Sequence, residues 1–175
     1  MSGVVWITGL PASGKTTLAH RVISELEDRG RRALLLDSDE VRKALTPQPL
    51  YTPEERLLVY RAMAYTARRL AAVGPIVVVA ATAHDAALRD AVRAIVGELL
   101  LVWARCPVEV CEQRDPKGLY RRAHQKQDGA MPGVHARFDE PKDADVVVDT
   151  EHAVSDDVVD ALVERLEARF VRAPG

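Results

Sequence analysis

Little in this chain would draw it to a large charged partner. Its 24 Lys and Arg stand against 26 Asp and Glu, a formal net charge of −2, so no general field pulls it toward nucleic acid or an anionic membrane. Any anion must therefore be held by a local arrangement. The longest apolar runs, such as PIVVVAATA at 75–83, fall well short of the roughly 20 residues that cross a bilayer. No basic stretch with a cleavable apolar segment precedes Val4, and a cytoplasmic location is the expectation. Cysteine is scarce too. Cys106 and Cys111 have no His or Cys cluster nearby, which matches neither a zinc site nor a disulfide framework, and leaves free thiols of core or surface. Internal repeats and an interdomain linker are also missing. With 175 residues, 47% of them hydrophobic, we expect one domain spanning 1–175.

What is present is an alternation of short apolar runs with longer periodic stretches. Residues 4–8, 33–36, 76–81 and 99–104, and a shorter run at 145–148, read as strands ended by Gly, Asp or Pro signals. Helical period marks 16–29, 53–72 and 86–96, closed by Gly30, Gly74 and Gly97, and a last amphipathic stretch covers 155–170. Thr52-Pro53-Glu54-Glu55 gives the second helix a cap, a proline at its first position and a capping-box glutamate. Strands that are apolar throughout and separated by helices predict a parallel sheet covered on both faces. The fold class is therefore α/β, a three-layer α/β/α domain. Residues 125–143, rich in Gly, Pro and charge, read as one long irregular segment of the kind that is functional or disordered.

The stretch GLPASGKTT follows the first strand and opens the first helix. Gly9-x-x-x-x-Gly14-Lys15-Thr16 is the phosphate-binding loop in the context its mechanism requires. Backbone N–H groups of Gly9, Pro11-Ala12-Ser13-Gly14 and the residues after them, Pro11 excepted, can converge on phosphate oxygens at a helix N-terminus. Lys15 would reach the β- and γ-phosphates, the Thr16 hydroxyl would ligate Mg²⁺, and Thr17 completes the loop. ATP is the expected nucleotide, since no Asn-Lys-x-Asp is present to read guanine. At the end of the second strand, LLLDSDEVR offers Asp37 and Asp39, which would share a side if the strand continued through both. A carboxylate there can help hold Mg²⁺ and accept the proton of an attacking hydroxyl.

CEQRDPKGLYRRA at 111–123 resembles the lid signature of adenylylsulfate kinases. GLPASGKTT, LDSDEVR, YTPEER and FDEP fall in that family's order and at close to its spacing, over roughly residues 3–150. The resemblance implies a P-loop kinase with a mobile lid at about 114–143, which moves the ATP γ-phosphoryl group to the 3′-hydroxyl of adenosine 5′-phosphosulfate. Asp37 is then the expected base. Arg114, Lys117, Arg121 and Arg122 form a cationic segment able to close on the triphosphate. Arg42 and Arg56 match two arginines that hold the acceptor's phosphosulfate, with Asp39 beside them. Tyr51 stands where the family has a Phe that stacks on the acceptor's adenine, and a simple packing role for Tyr51 stays open.

Several positions depart from the family. Its Phe-Ile-Ser-Pro-Tyr-Arg is ATAHDA here, so the Ser becomes Ala83 and the Arg becomes Ala86. Its Lys-Asn-Phe-Thr-Gly is GAMPG, which replaces the Lys by Gly129 and the Phe by Met131, and an Asn of the third helix becomes Val59. The acceptor pocket is therefore expected to be rewritten around an intact donor site. His84 and His135 are further candidates for acceptor contact, while Trp6 and Trp103 are expected in the core. Small molecules, ATP and an anionic acceptor, are the expected partners, with no nucleic acid, no membrane, and a homodimer allowed. Phosphorylation of a different small hydroxyl compound, or nucleotide binding without transfer, are the alternatives.

Overall fold

The computed structural model describes residues 2–125 and 131–170. Gly129, and part of the expected lid, lie outside the described residues. The chain runs β1 (Gly3–Thr8), α1 (Lys15–Asp28), β2 (Ala33–Asp37), α2 (Ser38–Leu45), α3 (Pro53–Ala71), β3 (Ile76–Ala80), α4 (Ala86–Val96), β4 (Leu100–Arg105), α5 (Val108–Arg114), α6 (Leu119–Gln125), β5 (Val146–Asp149) and α7 (Asp156–Phe170). All five strands are parallel, in the order β2-β3-β1-β4-β5. No described helix is long and apolar enough to cross a membrane.

Alternation along β1 divides the core. Val5 and Ile7 turn to one face, where Leu18, Val22 and Leu26 of α1 meet Leu162, Val163 and Leu166 of α7. Val4 and Trp6 turn to the other, against Val59, Met63 and Ala67 of α3 and Leu88 and Val92 of α4. Every residue of β3 is buried, as a central parallel strand with both faces covered must be. Because β1 lies between β3 and β4, the chain leaves its first strand at the point where the sheet's order reverses. Crevices for ligands form at that point, beyond the carboxyl ends of the strands.

The expected strands and four expected helices are present with small shifts at their ends. Three short helices, α2, α5 and α6, carry too few turns for a periodic signal and were not expected as separate elements. Trp103 is a correction: it is only half-buried and faces a second cavity, whereas Trp6 is fully buried. Both cysteines are free and buried.

Candidate active site

The loop after β1 begins at Gly9 because nothing larger fits. A Cβ there would lie 2.5 Å from the Ala104 carbonyl oxygen and 2.7 Å from Ser13 Oγ. Ala12 and Gly14 take left-handed conformations, φ 59° and 87°, and α1 then starts at Lys15 with no side-chain cap. Its first-turn amides are left for an anion. Lys15 Nζ donates to the carbonyls of Leu10 at 2.6 Å and Gly9 at 3.1 Å. Burial lowers its pKa to about 8, against the opposing pull of Asp39, Cys111 and Asp37.

Thr16 Oγ1 donates to Asp37 Oδ2 at 2.7 Å, joining the first turn of α1 to the end of β2. The other carboxylate oxygen, Oδ1, accepts from the Asp39 amide at 2.8 Å and caps α2. The strand therefore stops at Asp37. Asp39 reaches the site from the first turn of a helix, so the condition under which the two carboxylates would share a side of one strand is not met. Among the described residues no cluster of three or more His, Cys, Asp or Glu could hold a metal. A hydroxyl and a carboxylate converging at a phosphate loop are nonetheless hard oxygen donors of the kind Mg²⁺ shares with substrate phosphates.

Above the loop lies a cavity of about 1260 Å³ that takes in Pro11, Ala12, Gly14, Lys15, Thr16, Thr17, Asp37 and Asp39. Ser13 is buried beneath it. Arg42 and Arg56 line one side, each 7% exposed. Their guanidinium carbons lie 5.1 and 5.4 Å from the centre of the Tyr51 ring. Tyr51 holds a left-handed φ of 58°. The Glu55 carboxylate accepts from its amide, and its carbonyl accepts from Arg56 Nε at 3.0 Å. Burial holds Arg56 below the usual arginine range, with the neighbouring Arg42 adding to it. Arg42 Nη1 and Nη2 are buried and have no hydrogen-bond partner among the described residues. The Glu55 carboxylate stands 3.9 Å from Nη1. A buried cation left this way is costly unless an anion completes it.

The segment from Arg114 through α6 approaches from the opposite side. Arg114 Nη2 donates to the Glu151 carbonyl at 2.6 Å and Nη1 to Cys106 Sγ at 3.5 Å. Asp115 accepts from the amides of Tyr120 and Arg121 and so folds Asp-Pro-Lys-Gly into the start of α6. Lys117 pairs with Asp39 across the cavity, and that hydrogen bond raises its pKa. Arg114, Lys117 and Arg122 line the cavity, whereas Arg121 does not. Tyr120, which the sequence did not single out, donates to the Pro11 carbonyl at 3.0 Å and ties the lid to the phosphate loop.

Met131 lines the cavity and also packs on the small cluster of Cys106, Cys111 and Tyr120. His135 is at the cavity wall. Its loop lies against the phosphate loop, with Gly133 at a φ of 91° that favours glycine and an added Cβ there 2.9 Å from Leu10 Cδ2. His84 does not line the cavity; burial lowers its pKa, and its Nε2 lies 3.4 Å from Asp85 Oδ2. Val59 stands where the resemblance implies an Asn. It is fully buried against the sheet and takes no part in the cavity, which its neighbour Tyr60 lines instead. Thr150, His152, Ala153 and Val154, in the loop after β5, form a further wall that sequence reasoning missed.

A parallel sheet with a phosphate loop at its switch point, an acidic strand end beside it and a basic segment facing it defines a P-loop kinase. A family model for adenylylsulphate kinase matches residues 1–149. The chain is 40% identical to a probable adenylyl-sulfate kinase of Archaeoglobus fulgidus over 86% of its length and 97% of the relative's. With an adenylyl-sulfate kinase of Paraburkholderia xenovorans it shares 36% identity, over 93% and 92% of the two chains. A solved structure of a Mycobacterium tuberculosis APS kinase in complex with AMPPNP and APS superposes with a TM-score of 0.86 at 30% identity, covering 95% of this chain and 98% of that one. The chain belongs to the adenylylsulfate kinase family, P-loop phosphotransferases with an alcohol group as acceptor.

Proposed function

We propose that this chain moves the γ-phosphoryl group of ATP to the 3′-hydroxyl of adenosine 5′-phosphosulfate, releasing ADP and the 3′-phosphorylated product in the cytoplasm. The observation that carries this acceptor is Arg42, a buried guanidinium whose Nη1 and Nη2 make no hydrogen bond among the described residues, with Glu55 no closer than 3.9 Å, set between aromatic rings on the cavity side facing the phosphate loop. Such a site favours a ligand that pairs an anion with a flat ring.

The remaining roles follow from position. The amides of Gly14, Lys15 and Thr16 hold triphosphate oxygens, and Lys15 exchanges its two loop carbonyls for phosphate. Thr16 and Asp37 would hold Mg²⁺, whose chemistry is to neutralise charge on the phosphates. Asp37 takes the proton of the acceptor hydroxyl, and Asp39 frames the same end of the cavity. Arg42, Arg56 and Tyr51 hold the acceptor, with Met131 as an apolar wall. Arg114 and Lys117 bring positive charge over the transferred group, and catalysis is chiefly positioning and charge neutralisation.

The test is ADP release with adenosine 5′-phosphosulfate, Mg²⁺ and ATP, for the wild type and Asp37→Asn. Asn caps a helix about as well as Asp, so the variant should keep its melting temperature while kcat falls by the roughly 10²–10⁴-fold typical of a lost general base. No ADP release with this acceptor, in protein that still binds ATP, would transfer the reading to another hydroxyl compound.

A further inference from the structure

Tyr60 is the polar group in the cavity that neither the motif nor its spacing announces. It is 2% exposed and stands one helical turn after Arg56, on the same face of α3. Its ring meets Trp6 edge to face, with centroids 6.3 Å apart and planes at 62°. The Arg42 guanidinium carbon lies 5.9 Å from its centre. The phenolic oxygen accepts from the Ala83 amide at 3.0 Å in a buried contact. Ala83 is itself held unusually, with φ 38°, while its carbonyl accepts from Arg89 Nη1 at 3.0 Å.

These contacts fix the direction of the hydroxyl. One lone pair is taken by the Ala83 N–H, the ring is clamped between Trp6 and Arg42, and the phenolic proton has no acceptor among the bonds of the described residues. A buried O–H with a free proton, next to two buried arginines at the wall of a ligand cavity, is a donor waiting for an oxygen. We propose that Tyr60 is a specificity-determining residue of the acceptor site, donating its phenolic hydrogen bond to an anionic oxygen that Arg42 and Arg56 also hold. This rests on the proposed acceptor reading. The hydroxyl reaches the segment that follows β3 from the helix side, where Ala81 and Ala83 bring no polar side-chain atom. Val59, on the core side of the same turn, leaves that task to its neighbour.

The experiment compares the wild type with Tyr60→Phe, which keeps the ring under Arg42 and against Trp6 and removes only the hydroxyl. Steady-state kinetics with adenosine 5′-phosphosulfate should show the acceptor KM rising roughly 10- to 150-fold, the range of a hydrogen bond to a charged group. The KM for ATP should stay within about twofold. Loss of the Ala83 contact alone would lower the melting temperature without that split between substrates. Adding Ala83→Ser, which returns a hydroxyl to the same corner, should recover part of the acceptor KM. An unchanged acceptor KM in Tyr60→Phe, beside an active wild type, overturns the inference and leaves the reading intact. A wild type inactive on this acceptor overturns both.

Discussion

Lys15 carries the sharpest pH signature in the site. Its pKa of about 8 in the free protein means that about half of the molecules hold a neutral amine at pH 8, and a triphosphate beside it restores the ammonium. Nucleotide binding near pH 8 should therefore take up about half a proton, and ATP affinity should fall as pH rises from 7 to 9 because the form that binds is the one being lost. Titration calorimetry at pH 8 in two buffers of different ionisation enthalpy measures the uptake. It should vanish in Lys15→Ala, and equal uptake in that variant would assign the proton elsewhere. The meeting of Lys15, Thr16 and Asp37 was legible because their places are tied to one loop and one strand end. Tyr60 was hidden, since its hydroxyl finds a partner only where the segment after β3 brings the Ala83 amide to it, a contact 23 residues away in the chain.

At the level of elements, the start of α3 shows how local signals build one wall of the cavity. The Thr52 side chain accepts from the Glu55 amide at 3.2 Å, and the Glu55 carboxylate accepts from the amides of Leu50 and Tyr51. This capping box sets the turn that holds Tyr51 left-handed, and it orients the face from which Arg56 and Tyr60 project. Thr52→Ala should cost about 0.5–2 kcal/mol, a fall of roughly 1–8 °C in Tm for a chain of this size. It should also raise the acceptor KM while leaving that for ATP alone. Thr52→Ser should do neither, and a thermal melt with acceptor kinetics checks both. The box was readable because capping chemistry is local. By contrast α2, α5 and α6, of eight, seven and seven residues, are too short to show a periodic stripe, and the Asp37 cap and the Asp115 turn help to hold them. A strand that ends at Asp37 could not be told from one that continues to Asp39 until the cap was visible.

Across the whole molecule, the sheet supplies a rigid floor, and contacts distant in sequence supply the roof. The strands were legible as apolar runs, and their parallel order followed from the helices between them. How the lid sits was not, because it depends on single bonds such as Tyr120 to Pro11, 109 residues apart. Beneath that bond lies Cys111, fully buried with Cys106 and Tyr120 and flanked by Leu10 of the phosphate loop. Burial, with Cys106 beside it, pushes its thiol up to about 12. At pH 8 only about one molecule in 10⁴ would carry the thiolate that alkylating reagents need. Modification must then wait for the roof to lift, which makes this sulfur a clock for an opening that no assay of turnover can time. In a Cys106→Ala background, the alkylation rate of Cys111 should be slow and should drop further with saturating Mg·ATP, as mass spectrometry would follow. A rate indifferent to nucleotide would mean that loop and lid part company without regard to what lies between them.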